Sequence, residues 1–408
     1  MAAFQILVRT GWIFKTESVI IPAVLDAISG VGWVRGLLPA LNRLGHSLPP
    51  LLLARRVEQT PYKKWVLATT MWLMALCLVV WGALFMPLAT ALASWKPVIF
   101  LAIYGVFFAC VGVNSLALNT LQGKLIQTSL RGRLMYATGI LGAISAIGCV
   151  LWLMPDWLQV GNPRFDLLFL FPGLLFAVAA MLVWCFDEKA DPCPMVPKRK
   201  RNCFVDAYRT LRDDQNFRRL ACVASAVGSS ILLFPHYQNL GLQKMRLDLS
   251  HLMWWVVVQN VGTGIFSVPM GAIADRGGNR LVLQIFLLGL AAAPALAVTI
   301  SYIEASRWFV FTFLLIGLNP VVIRTLQNFT LEICRSADHP RYLSTLNLCL
   351  AAPMIFSPLV GWCVDLFGFA AVYAGVTAVI LMGWCVTFTL TEPRHAEYRF
   401  ANDSDLLQ

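Results

Sequence analysis

The residues of this chain best placed to do chemistry are ionisable side chains that interrupt apolar runs. Lys15, Glu17 and Asp26 fall in an apolar stretch over 11–31, and Arg43 and His46 in the next, over 34–54. A charge in a bilayer core costs at least about 2.5–3.5 kcal/mol, so a residue of this kind has a partner or a task. The two stretches run antiparallel about a turn near residue 32, which places Glu17 and His46 at similar depth. Imidazole titrates closest to neutral pH, and a carboxylate beside it can pass a proton. Glu17, His46, Asp26 and Arg43 are therefore the expected coupling residues. The same spacing fits a structural ion-pair cluster of Lys15, Glu17, Arg43 and His46, and both readings stand.

Arg324 lies in a later stretch, 308–330, with Gln327 one turn on and Asn319 more than a turn before. It can bind an anionic group on a solute, pair with Glu332, or reach the inner lipid headgroups. His236, Tyr237, Gln238 and Asn239 follow Pro235, and Gln259 and Asn260 sit mid-stretch further on. Amides of this kind hydrogen-bond a small polar solute in a cavity. Singly, they also bridge helices. The chain has no phosphate-cradling loop, no metal-ligand spacing and no nucleophile elbow. No catalytic residue, metal site or cofactor is expected, and the chain is read as no enzyme.

The elements that must position these residues follow from composition. The chain has 408 residues, 58% apolar and 13% charged, with mean hydropathy +0.70. Soluble domains carry about 25% charged residues, so a soluble enzyme, a disordered chain and a disulfide scaffold are excluded. Twelve helices of about 20 residues would use about 240 of them. Twelve apolar stretches are present: 11–31, 34–54, 65–87, 96–118, 134–154, 166–186, 219–240, 251–273, 281–303, 308–330, 343–365 and 369–390. Most of the eleven cysteines lie inside these runs, where the thiol acts as a small apolar group.

Lys and Arg concentrate in alternate connections, from Arg55, Arg56, Lys63 and Lys64 through Lys124, Arg131 and Arg133 to Arg276, Arg280, Arg335, Arg341 and Arg394. Basic loops face the cytoplasm, so both termini are expected there, in the inner membrane of the cell. The net charge of +11 would suggest nucleic acid in a soluble protein; here its placement beside spans points to anionic lipid instead, and no nucleic-acid partner is expected. The one long connector, 187–218, holds the basic run Lys198–Arg201. Phe204, Tyr208 and Leu211 then recur at helical spacing, as in a short helix on the membrane surface. The expected organisation is a six-helix bundle over 1–186, this linker, a second bundle over 219–393 and a tail over 394–408.

The halves repeat. GVNSLALNTLQ (Gly112–Gln122) and GLNPVVIRTLQ (Gly317–Gln327) match at Gly112/Gly317, Asn114/Asn319, Thr120/Thr325, Leu121/Leu326 and Gln122/Gln327, all at one offset, with Arg324 standing where Asn119 stands in the first copy. A duplicated six-helix unit is a common plan for secondary transporters. The sharpest motif is GAIADRGGNR, Gly271–Arg280. Gly271 suits a close helix approach, Gly277 and Gly278 a tight reversal, and Asp275, Arg276 and Arg280 charge-assisted bonds between helix ends. It resembles the G-x-x-x-D-R-x-G-x-R loop signature of the major facilitator superfamily, which the chain resembles over nearly its whole length.

The resemblance implies an all-α membrane fold of twelve transmembrane helices in two pseudo-symmetric six-helix bundles. It implies a cavity lined by the first, fourth, seventh and tenth helices, here with Asn114, Asn119, Gln238, Asn319, Arg324 and Gln327 as candidates; Gln259 and Asn260, on the eighth, are candidates on their amide chemistry. It also implies a signature loop that holds one orientation of the transporter. The first-half loop, LLARRVEQTPYKKW, lacks the signature's Asp and paired glycine. The expected function is secondary active transport of a small solute by alternating access, with H+ as coupling ion and a monomeric chain in the lipid bilayer. The alternatives are a channel or a non-transporting sensor of the same fold.

Overall fold

A computed structural model describes residues 1–86, 94–126, 128–190, 203–334 and 338–392. The described residues are helical throughout their regular structure. The first crossing is α1a (Ala2–Ile13) and α1b (Ile20–Ile28), followed by α2 (Gly32–Gln59), α3 (Lys63–Leu84), α4 (Lys96–Leu125), α5 (Thr128–Trp157) and α6 (Phe165–Trp184). A linker helix, Cys203–Asp213, precedes α7 (Gln215–Lys244). The long helical run His251–Tyr302 turns at Gly278 into α8 (251–277) and α9 (279–302). After α10 (Ser306–Ile333), the run His339–Thr387 turns at Gly368 into α11 (339–367) and α12 (369–387). Twelve crossings result. Large apolar side chains such as Leu52, Trp152, Val268 and Ile355 stay exposed on them, as a lipid-facing surface requires.

The expected single span over 11–31 is corrected. The helix starts earlier, at Ala2, and breaks between Ile13 and Ile20. The Thr16 hydroxyl donates to Ile13 O at 2.7 Å, while Thr16 O accepts the amides of Val19, Ile20 and Ile21. Side-chain and turn bonds thus take the backbone groups that a continuous helix would use. The break falls on the polar triplet Lys15, Thr16 and Glu17. The seventh crossing also deviates, running through Phe234–Asn239 into a π-turn at Leu240–Lys244. The two runs of the repeat are therefore both opened by an irregular first helix.

Contacts divide the described residues into two compact units. One comprises those of Met1–Lys198 with Arg246–Val257, the other those of Arg199–Met245 with Val258–Gln408. In the first unit α1a packs on α5 and α6, α2 on α4, and α3 on both α4 and α6. In the second, α7 packs on α10 and α11, and Gly383 of α12 lies directly against Ala226 of α7.

The repeat reappears as packing. A Cβ added at Gly112 would sit 2.8 Å from Gly45 O and 2.7 Å from Pro50 of α2. At its counterpart Gly317 the Cβ would sit 2.6 Å from Gln259 O and 2.7 Å from Thr263 N of α8. Both glycines bring the fourth helix of their half against the second, which no larger residue permits. Gly317→Val is expected to lower stability by about 1–3 kcal/mol through overpacking. Gly148→Val, where a Cβ meets nothing within 4 Å, is the control that should shift thermal unfolding little.

The linker helix exists where Phe204, Tyr208 and Leu211 suggested it, but its buried face differs. Ala207 and Thr210 are buried and Leu211 packs on the core of the second unit, whereas Tyr208 is exposed. Arg341 Nε donates to Asp206 O at 3.4 Å and ties this helix to α11. The basic run Lys198–Arg201 and the tail 394–408 lie outside the described residues, as do the side chains of Arg55, Arg131 and Arg133.

Candidate functional site

The break in the first crossing carries the densest polar network of the first unit. Lys15, fully buried, places Nζ 3.0 Å from Glu17 Oε1 and 3.4 Å from the centre of the Trp12 ring. Phe108 and Phe107 stand around the same ammonium, at 4.7 and 5.1 Å. Cation–π contacts of a desolvated ammonium contribute about 2 kcal/mol. Glu17 Oε2 accepts from Asn42 Nδ2 of α2, and Asn42 in turn meets the hydroxyl of buried Tyr104 on α4. Glu17 itself keeps 31% of its side chain exposed. A carboxylate is thus held by a buried ammonium on one side and left accessible on the other.

Arg43 and His46 share a face of α2, three residues apart, and both feel the charge of Glu17. The His46 ring lies 5.4 Å from Phe108. Gly45 between them lets α2 approach the backbone of α4 at Phe108. Among the described residues Arg43 makes no ion pair. Asp26 stands apart from this group: Arg35 Nε donates to its Oδ1 at 2.7 Å, with the guanidinium fully buried. Lys15, Glu17, Arg43 and His46 therefore come together, and Asp26 pairs elsewhere.

The amides divide. Asn114 Nδ2 donates to Thr70 Oγ1 of α3 at 2.9 Å, and Asn319 Nδ2 to Ser230 Oγ of α7 at 2.8 Å, all four residues buried. These two bridge helices within their own half. Gln238 and His236 are fully buried beside the π-turn of α7. Gln259, Asn260 and Gln327 are partly buried, and Asn119 and Arg324 are exposed at matching places in α4 and α10. Arg324 has no ion-pair partner among the described residues, so the pairing with Glu332 is not made.

At the signature loop, Gly278 adopts φ +79°, a conformation that favours glycine, and a side chain there would collide with the Glu392 carboxylate. Glu392 Oε2 accepts Arg280 N at 2.8 Å, and Arg280 Nη2 donates to Phe388 O at 2.8 Å. The carboxylate caps the start of α9 while the guanidinium caps the end of α12. Asp275 and Arg276 are exposed. Gly271 is corrected: a Cβ there meets nothing within 4 Å, so the close helix approach expected of it is absent.

The first half builds the same latch without the motif. Glu188, buried past the end of α6, accepts Lys63 N at 2.9 Å and Lys64 N at 2.8 Å, capping α3, and pairs with Lys124 Nζ at 2.9 Å. Lys64 Nζ donates to Phe186 O at 2.9 Å. Glu188 and Glu392 escaped the sequence reading because a single carboxylate beyond a span has no pattern of its own. They do lie within one residue of the offset that relates the repeats.

Comparison with known proteins agrees with these features. Residues 221–405 match the profile of the Major Facilitator Superfamily. The match falls in the second half of the chain. The chain's fold is shared along nearly the full length with solved structures of low identity. These include the nucleoside transporter NupG (TM-score 0.68, 12% identity, 95% of this chain and 97% of that one). They also include a D-xylose-proton symporter (0.69, 14%, 96% and 98%) and a bacterial homologue of the iron transporter ferroportin (0.69, 13%, 95% and 97%). No curated protein matches by sequence. In the fold shared with these structures, the network at Glu17 falls in the first helix and the latches at the loops joining the second to the third and the eighth to the ninth.

Proposed function

We propose that this chain is a secondary transporter of the major facilitator superfamily that carries a small solute by alternating access, and that Glu17 is its proton-coupling carboxylate. The observation that carries the proposal is the Lys15–Glu17–Asn42 network at the break in the first crossing. A membrane-buried ion pair costs desolvation that packing alone repays poorly, so a pair with one accessible member suits a changing task. When Glu17 takes a proton, its hold on Lys15 weakens; when it gives the proton up, the pair closes again. A solved relative of the same fold is described as a D-xylose-proton symporter, which supports coupling to protons. The two irregular first helices supply backbone that can rearrange without unwinding a regular helix. Both termini are read as cytoplasmic in the inner membrane, on the distribution of Lys and Arg between loops.

The test is uptake into proteoliposomes with an imposed pH gradient. Accumulation that follows the gradient and collapses with a protonophore is the expected result. Uptake that saturates but ignores the gradient would keep the carrier and remove the proton.

A further inference from the structure

The charges at the middle of the first two crossings do not balance. Lys15 and Arg43 are cations, Glu17 is their one carboxylate, and Glu17 is already engaged by Lys15 and Asn42. With His46 counted neutral, the group carries one net positive charge. Its depth is that of the bilayer centre. Arg43 lies eleven residues into α2, about 16 Å along a helix rising 1.5 Å per residue, and Lys15 sits midway between Ala2 and Ile28. The neighbouring charges offer no remedy, because Asp26 is taken by Arg35. A lone guanidinium at that depth costs several kcal/mol unless something negative meets it.

We propose that the missing charge belongs to the transported solute: Arg43, with His46 beside it, binds a carboxylate or phosphate group that the solute carries. This assignment rests on the transporter reading of the same site. Arg43 is suited to the task, since its planar fork of donors matches a carboxylate or phosphate in two parallel bonds. It is partly exposed rather than sealed in the core, and three residues along its helix His46 presents a further ring nitrogen on the same face. The aromatic wall of Trp12, Phe107 and Phe108 that encloses Lys15 excludes water from one side, which strengthens the attraction. Binding of a monoanion brings the group to neutrality. The solute class is therefore a small organic anion or inorganic phosphate rather than a neutral sugar or nucleoside.

Binding is measured separately from transport, on the full-length protein in nanodiscs of zwitterionic phosphatidylcholine. The probes are lactate, succinate, citrate and inorganic phosphate, with xylose and uridine as neutral comparators. At least one anion is expected to bind saturably, and Arg43→Gln to weaken it by roughly tenfold or more. Arg43→Lys, which keeps the charge, should fall between, and Arg164→Gln, at the exposed Arg164–Asp166 pair, should bind like the wild type. A normal thermal unfolding profile for Arg43→Lys guards against a folding defect. Binding of the neutral comparators alone, or anion binding indifferent to Arg43→Gln, overturns the proposal. So does a response seen only with phosphatidylglycerol vesicles, which would assign the site to a lipid headgroup. Anion binding without uptake sustains the site and counts against the carrier reading instead.

Discussion

Glu17→Gln is expected to abolish gradient-driven accumulation and to lower stability by about 3 kcal/mol, the cost of stripping the partner from a buried ion. Lys15 has no exposure, and its ammonium is 3.0 Å from the oxygen that the substitution neutralises. The Trp12 ring remains at 3.4 Å, yet a π face does not replace a counter-ion. The double replacement Lys15→Met with Glu17→Gln separates the two effects. Exchanging a buried pair for neutral groups of similar size is often nearly free, so thermal unfolding of the double variant should return close to wild type. Coupling should not return, because no carboxylate is left to take the proton. A double variant no more stable than Glu17→Gln would show that the pair does not set the stability. A single variant that still accumulates solute along the gradient would remove Glu17 from the coupling step.

The second large effect is expected at Glu188. Its side chain is fully buried and receives three donors, two of them amides at the start of α3. Those amides have no partner within their own helix, and a carboxylate there also meets the positive end of the helix dipole. Glu188→Ala is expected to cost about 3–5 kcal/mol, since it strands Lys124 and both amides together. Glu188→Gln keeps an acceptor and should recover part of that. Lys124→Met should cost less than either, because Lys124 retains about a quarter of its side-chain exposure. Thermal unfolding of the purified variants reads all three. A Glu188→Ala shift within about 0.5 kcal/mol of wild type would mean the latch is a surface decoration.

Most of the fold was legible because it follows from one strong physical signal. Apolar runs long enough to cross a bilayer, split by basic loops, leave little freedom, and ten of the twelve crossings lie within helices apolar enough to span on composition alone. Charges blurred the first two. In the first of these, Lys15, Thr16 and Glu17 look like a tolerated interruption in an apolar run, but the turn they form ends one helix and starts another. Hydropathy averages over a window and cannot see a local competition for backbone hydrogen bonds. The repeat was readable at Gly112 and Gly317, and the structure supplies its reason: the two glycines make equivalent approaches. Asn114 and Asn319 match in sequence yet reach different neighbours, α3 in one half and α7 in the other. Identity of residue did not carry identity of contact.

The site was partly legible for a similar reason. The cost of charge in lipid singles out Lys15, Glu17, Arg43 and His46 without any structure, and the fold brings these four together. Sequence spacing cannot choose partners among them, and antiparallel depth alone favoured Glu17 with His46. The geometry gives Glu17 to Lys15 and Asn42, and leaves Arg43 without an ion pair. At the signature loop, the motif located Gly278 and Arg280 but not Glu392, the acceptor that makes their geometry intelligible.

The most direct test of the central claim counts protons and solute together. Proteoliposomes loaded with a pH-sensitive dye receive external lactate, succinate, citrate or phosphate, and radiolabel uptake is followed alongside lumenal pH. A carrier coupled through Glu17 acidifies the lumen as label enters, and Glu17→Gln does neither against a gradient. Label that enters the wild type while lumenal pH stays flat, or a Glu17→Gln protein that moves protons at the wild-type rate, would contradict it.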